Sequence, residues 1–230
     1  MGSICSICIE SNPDFTSGVS SDEKTICSAE KKCPISKKSL ASIRKSLHDE
    51  AHNGRLTLTQ MKKAGGNLGI NREELHNPDS ETFVFLTSLG DENSTEEKLT
   101  LVSGILICNS STKEKALALS EIYDVNTVKI LSKNELSLMF SDLFDVSIKN
   151  LPLLAMGTSS TAKNDINSYL KQLIEHREKF VDDSVDLVLK GQPEISLKRF
   201  AEILSYEGKH LVSSSGIRCE VFKKYVTKRI

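Results

Sequence analysis

The stretch Asp124–Glu135, DVNTVKILSKNE, decides the reading of this chain. Two apolar-periodic segments flank it: Lys113–Tyr123 (KEKALALSEIY) before it and Leu136–Leu143 (LSLMFSDL) after it. Leu119 and Tyr123 sit one helical turn apart in the first segment. In the second, Leu136, Met139, Phe140 and Leu143 recur at the spacing of one buried helical face. The pattern predicts a helix, a loop of about twelve residues, and a second helix.

Within that loop, oxygen-bearing side chains stand at set intervals. Asp124 is position 1, Asn126 is 3, Ser132 is 9 and Glu135 is 12. A twelve-residue calcium loop takes its ligands from positions 1, 3, 5, 7, 9 and 12, the last a bidentate carboxylate. Leu131, at position 8, is the aliphatic residue that would pair with a partner loop in a short β-bridge. The unit resembles the EF-hand family. It departs from the family at position 5, where Val128 offers no side-chain oxygen, and at position 6, where Lys129 replaces the turn glycine. The resemblance implies at best weak calcium binding by Asp124, Asn126, Ser132 and Glu135, of order 10⁻⁴ M or poorer.

Three weaker copies are present. Asp49–Met61 places Asn53, Gly54 and Leu56 at positions 5, 6 and 8, with Gln60 at 12. The stretch from Gly90 begins with Asp91, Asn93 and Thr95 in the loop's opening alternation, and its span to Leu99 is one residue too long for the twelve-residue loop. The last copy sets Ile195 at the bridge position, Pro193 in the ligand half and Arg199 in place of the glutamate. None of the three is expected to hold calcium well.

The chain opens MGSICSICIE. Gly2 followed by Ser6 matches the N-myristoylation pattern, and Cys5 and Cys8 are candidate palmitoylation sites. One myristoyl chain anchors only marginally, so a second acyl group would complete the tether. Zinc is an alternative use of Cys5, Cys8, Cys27 and Cys33, although the second pair is wider than a standard knuckle. The order of units after such a start resembles the recoverin-type neuronal calcium sensors and the calcineurin-B-like proteins. That resemblance implies an all-α fold of two EF-hand-like pairs. It divides the chain into a lipid-modified flexible segment (1–36), a first pair (37–110) and a second pair with a long inserted helix (111–230). It further implies a place on the cytoplasmic face of a membrane. An apolar groove would there hold the amphipathic helix of a kinase, phosphatase or membrane protein. A calcium-independent adaptor with a degenerate EF-hand fold is the alternative.

Composition narrows the rest. Lys plus Arg (30) nearly balances Asp plus Glu (31), which argues against a dedicated nucleic-acid binder. Five Pro and 12 Gly punctuate too little for an all-β fold. No run approaches the roughly 20 apolar residues of a membrane-spanning helix. Residues 10–36, rich in Ser, Asp, Lys and Pro, read as a flexible linker, and 162–188 as one long helix. His48 and His52 do not form H-E-x-x-H, and Gly65–Gly69 reads as a helix stop. No nucleophile or acid–base set can be assembled, so an enzyme is not expected.

Overall fold

The computed structural model describes residues 20–91, 93–157 and 160–227. It is mostly helical, with two short antiparallel two-stranded sheets among the described residues. Four helix–loop–strand–helix units follow one another. The first is α2 (Leu40–His48), β1 (Arg55–Thr57) and α3 (Leu58–Asn67). A short helix α4 (Arg72–His76) leads to α5 (Glu81–Thr87), β2 (Ser94–Glu96) and α6 (Glu97–Ile107). The third unit is α7 (Thr112–Tyr123), β3 (Ile130–Ser132) and α8 (Lys133–Asp145). Helix α9 (Ser160–Ile174) then precedes the fourth, made of α10 (Arg177–Leu189), β4 (Glu194–Ser196) and α11 (Leu197–Tyr206).

The strands pair by unit. β1 lies antiparallel to β2 with Leu56 opposite Thr95, and β3 to β4 with Leu131 opposite Ile195. Each strand is three residues long and buries only its central side chain, which is what a period-2 backbone at a core edge dictates. The strand's last residue then caps the following helix in three units. Thr57, Ser132 and Ser196 each accept the N–H three residues on, satisfying one of the helix's orphan donors. Glu96 starts α6 without such a bond.

One contiguous apolar core runs through all four units, from Ile43, Leu47 and Phe85 to Phe140, Phe200 and Ile217. Charged links cross between the pairs: Arg44 on α2 donates to the Ala118 carbonyl and pairs with Glu121 on α7. Lys98 on α6 pairs with Asp142 on α8, and its ammonium lies over the Tyr123 ring.

Two sequence expectations give way. The linker expected over residues 10–36 is, from Ser21, the helix α1 (Ser21–Lys32), followed by a 3₁₀ turn (Pro34–Lys37). Ser20 caps it, accepting the Glu23 N–H. Its inner face carries Glu23, Ile26, Cys27 and Glu30, all buried. The partner of that face comes from the other end of the chain. Arg218 lies on α12 (Ser214–Val221) and is fully buried. Its Nε and Nη2 donate to the Glu23 carboxylate at 2.7 and 2.9 Å. Its Nη1 donates to Glu30 and to the Ser147 carbonyl, both at 2.8 Å. The Tyr169 hydroxyl on α9 donates to Glu23 as well. Polar composition made this segment read as solvated, when two of its acids are the partners of a core cation.

The single helix expected over 162–188 is broken at His176, which leaves helical geometry at φ −104°. The two halves bury different faces. Ile166, Tyr169, Leu170 and Leu173 of α9 face α1 and the two π-helical segments Val146–Asn150 and Phe222–Val226. Phe180, Val185 and Val188 of α10 face α8 and α11. A straight helix could not serve both. A bidentate Arg177–Asp145 pair fixes the start of α10 to the end of α8.

Removing one member of a buried, hydrogen-bonded ion cluster leaves the others charged and unsolvated. Arg218→Ala should therefore cost about 3–5 kcal/mol in urea unfolding, far more than Arg199→Ala on the surface. Replacing Glu23, Glu30 and Arg218 together by apolar residues of similar size should recover most of the loss. Additive losses in the triple variant would contradict the charge-cluster account.

Candidate functional site

Asp124 terminates α7 and turns its carboxylate back over the following loop. Oδ1 accepts the Val128 N–H at 3.1 Å and Oδ2 the Lys129 N–H at 2.9 Å. The Thr127 N–H donates to the Asp124 carbonyl. Asp124 therefore organises the turn through its own backbone and is itself 8% exposed. Asn126 and Val128 point into solvent, Val128 with 60% of its surface exposed. Thr127 and Lys129 both take left-handed backbone conformations, at φ 56° and 61°. Lys129 thus occupies a position that favours glycine. The equivalent residue of the first loop is Gly54, at φ 73°.

Glu135, three residues into α8, makes a reciprocal cap with Ser132. Ser132 Oγ accepts the Glu135 N–H, while the Glu135 carboxylate accepts the Ser132 N–H and hydroxyl at 2.8 and 2.7 Å. Those bonds hold the Glu135 carboxyl below the usual glutamate range. This is a capping box. The same box occurs with Gln60 on α3, and with Glu114 on α7, where no such loop precedes it. The sequence signal S-x-x-E at the end of a loop is therefore shared by a helix cap and a calcium ligand pair.

The residues do not fit a tight calcium site. Val128 contributes no oxygen, Lys129 adds a cation, and the Ser132 hydroxyl is committed to Glu135. Among the described residues no three His, Cys, Asp or Glu side chains converge to hold a metal.

The second loop differs from its sequence reading. Thr95, placed at the loop's start by alternation, is the bridge residue opposite Leu56. Asp91 closes a tight turn instead, accepting the Asn93 and Ser94 N–H groups, and pairs with Arg55. The turn is so close that a Cβ on Gly90 would lie 2.1 Å from the Ser94 carbonyl oxygen.

The remaining candidates separate. Gly2, Cys5 and Cys8 lie outside the described residues. Cys27 and Cys33 are both buried; Cys27 donates to Glu23, and burial pushes the Cys33 thiol up to about 11. α2 ends at His48, so His52 lies past it in a turn and does not continue its face. The helix stop at 65–69 holds, with α3 ending at Asn67 and Gly69 at φ 86°. A mixed polar groove of 640 Å³ runs between α1 and the 74–82 segment, lined by Lys24, Lys32, Cys33, Glu74, Glu81 and Leu154. No helix among the described residues is long and apolar enough to cross a membrane.

No protein-family model matches this chain, and no curated protein matches it.

The residues that sequence reasoning missed are Glu23, Glu30 and Arg218. A signal existed for two of them. Ser20-x-x-Glu23 opens a helix, and Glu23, Ile26, Cys27 and Glu30 fall on one face at i, i+3, i+4 and i+7. Nothing local marks Arg218 as their partner, 188 residues or more away.

Two substitutions read this loop. Lys129→Gly should raise stability by up to about 1 kcal/mol by relieving the left-handed residue. Glu135→Ala should cost about 0.5–2 kcal/mol as a lost cap, with Glu135→Gln nearly neutral because Gln60 serves the same role on α3. Equal losses for Glu135→Ala and Glu135→Gln would contradict the capping role.

Proposed function

We propose that this chain is an EF-hand-like interaction protein, tethered at a membrane by N-terminal acyl groups, that holds its partner without calcium. The observation that carries the reading is the pairing of loops by three-residue bridges. Leu56 meets Thr95 and Leu131 meets Ile195, each bridge leading directly into a helix. Two helix–loop–helix units joined this way are what the EF-hand resemblance implies. Calcium independence is supported by the third loop, whose turn is held by Asp124 and whose Glu135 is used by the helix cap.

The partner in this reading is an amphipathic helix of a kinase, phosphatase or membrane protein. Leu138 on α8, Ile174 on α9 and Tyr206 on α11 are large apolar side chains left substantially exposed and available to it. Acylation at Gly2, with Cys5 or Cys8 as the second site, supplies the tether; its support is the motif alone.

Weak calcium sensing is the second reading. It is favoured by one observation: Glu135 ends the loop that Asp124 opens, and its carboxyl is held below the usual glutamate range, in the charged form a cation ligand needs.

Calorimetry with magnesium present separates the two. The wild-type chain should give no saturable heat up to millimolar calcium. Val128→Asp combined with Lys129→Gly, which restores the missing ligand and the turn glycine, should create a site. Saturable binding by the wild-type chain that Glu135→Gln abolishes would establish the sensor instead. Silence in the restored variant would overturn the EF-hand reading of the loop.

A further inference from the structure

We propose that the outer face of α1, with the turn after it, is a docking surface for an anionic lipid bilayer. In sequence, residues 20–39 look mixed in charge: Lys24, Lys31, Lys32, Lys37 and Lys38 against Asp22, Glu23 and Glu30. The fold sorts them. Glu23 and Glu30 turn inward and are consumed by Arg218. The five lysines stay exposed or half-buried, and outside the buried cluster only Asp22 opposes them in this stretch.

Three of the lysines share one side of the helix. Lys24, Lys31 and Lys32 sit at i, i+7 and i+8, within an arc of about 100° that also holds Ser21 and Ser28. Lys37 ends the 3₁₀ turn that follows, exposed, and Lys38 comes next, half-buried. Among the described residues none of the five makes an ion pair, whereas Lys63, Lys98, Lys149, Lys190 and Lys224 all do. Glu74 and Glu81 line the same groove as Lys24 and Lys32 without forming an ion pair with them.

The chemistry favours a lipid surface over nucleic acid. The patch has no arginine to fork a phosphate and no aromatic ring on which a base could stack. Lysines on long aliphatic stems between small hydroxyl residues suit a diffuse, planar negative surface. The surface extends the membrane-tethered reading above but requires neither acyl group.

The test uses the full chain carrying Gly2→Ala, so that no myristate contributes. Its partition onto phosphatidylcholine vesicles with about a third phosphatidylserine is measured by sedimentation. We expect binding that is absent on pure phosphatidylcholine and that fades as salt rises from about 0.05 to 0.3 M. Lys24→Gln, Lys32→Gln and Lys37→Gln together should weaken it roughly hundredfold, at about fivefold per lysine. The three are exposed and unpaired, so the urea midpoint should not move. Absence of binding, or binding indifferent to the three substitutions, would overturn the proposal. So would lysine-dependent binding to single-stranded RNA without binding to vesicles, which would assign the face to nucleic acid.

Discussion

The rest of the structure depends on Arg218 and the two glutamates that neutralise it. Burial opposes a charged guanidinium strongly, and Glu23 and Glu30 outweigh that opposition, holding Arg218 ionised. Burial likewise pushes the Glu23 carboxyl up, with Arg218 pulling against it. Such a cluster adds little net stability relative to an apolar replacement, but any incomplete version of it is costly. It therefore acts as a constraint on arrangement. α1, α9, α12 and the π-helical segment Val146–Asn150 must all be in place before the charges are satisfied. The first described helix and the last are in this way made interdependent.

That constraint explains how a short, polar N-terminal helix becomes part of the core. α1 buries only Ile26 and Cys27 as apolar side chains on its inner face. The hydrophobic gain from two such residues is about 3–5 kcal/mol, little against the entropy of ordering twelve. The charge cluster supplies the specific register that apolar area alone would leave loose. It also determines what the helix shows outward, since acids drawn inside leave the lysines facing solvent.

Three of the four bridge residues were legible in sequence because their cue is local. Leu56, Leu131 and Ile195 each stand one residue before a Ser or Thr cap, and all three are strand centres. Thr95 was not legible, because a polar residue at a bridge position breaks the apolar cue and Asp91 offers a competing register. The break at His176 was hidden for another reason. Helical periodicity continues across it, and only the change of packing partner bends the chain. The candidate site was half legible. Spacing located Asp124 and Glu135, but spacing cannot tell a carboxylate that caps a helix from one that awaits an ion. The loop is folded by Asp124's grip on the turn and Glu135's on the helix. Val128 offers no side-chain oxygen, and Lys129 takes the left-handed turn without being glycine.

Native-state hydrogen exchange of the α1 amides tests the central claim most directly. If Arg218 locks the helix into the core, the amides of Thr25–Lys32 should exchange only through an opening as costly as that of α7 and α11. Exchange of those amides orders of magnitude faster, with α7 and α11 still protected, would show a helix merely resting on the surface and would contradict the account.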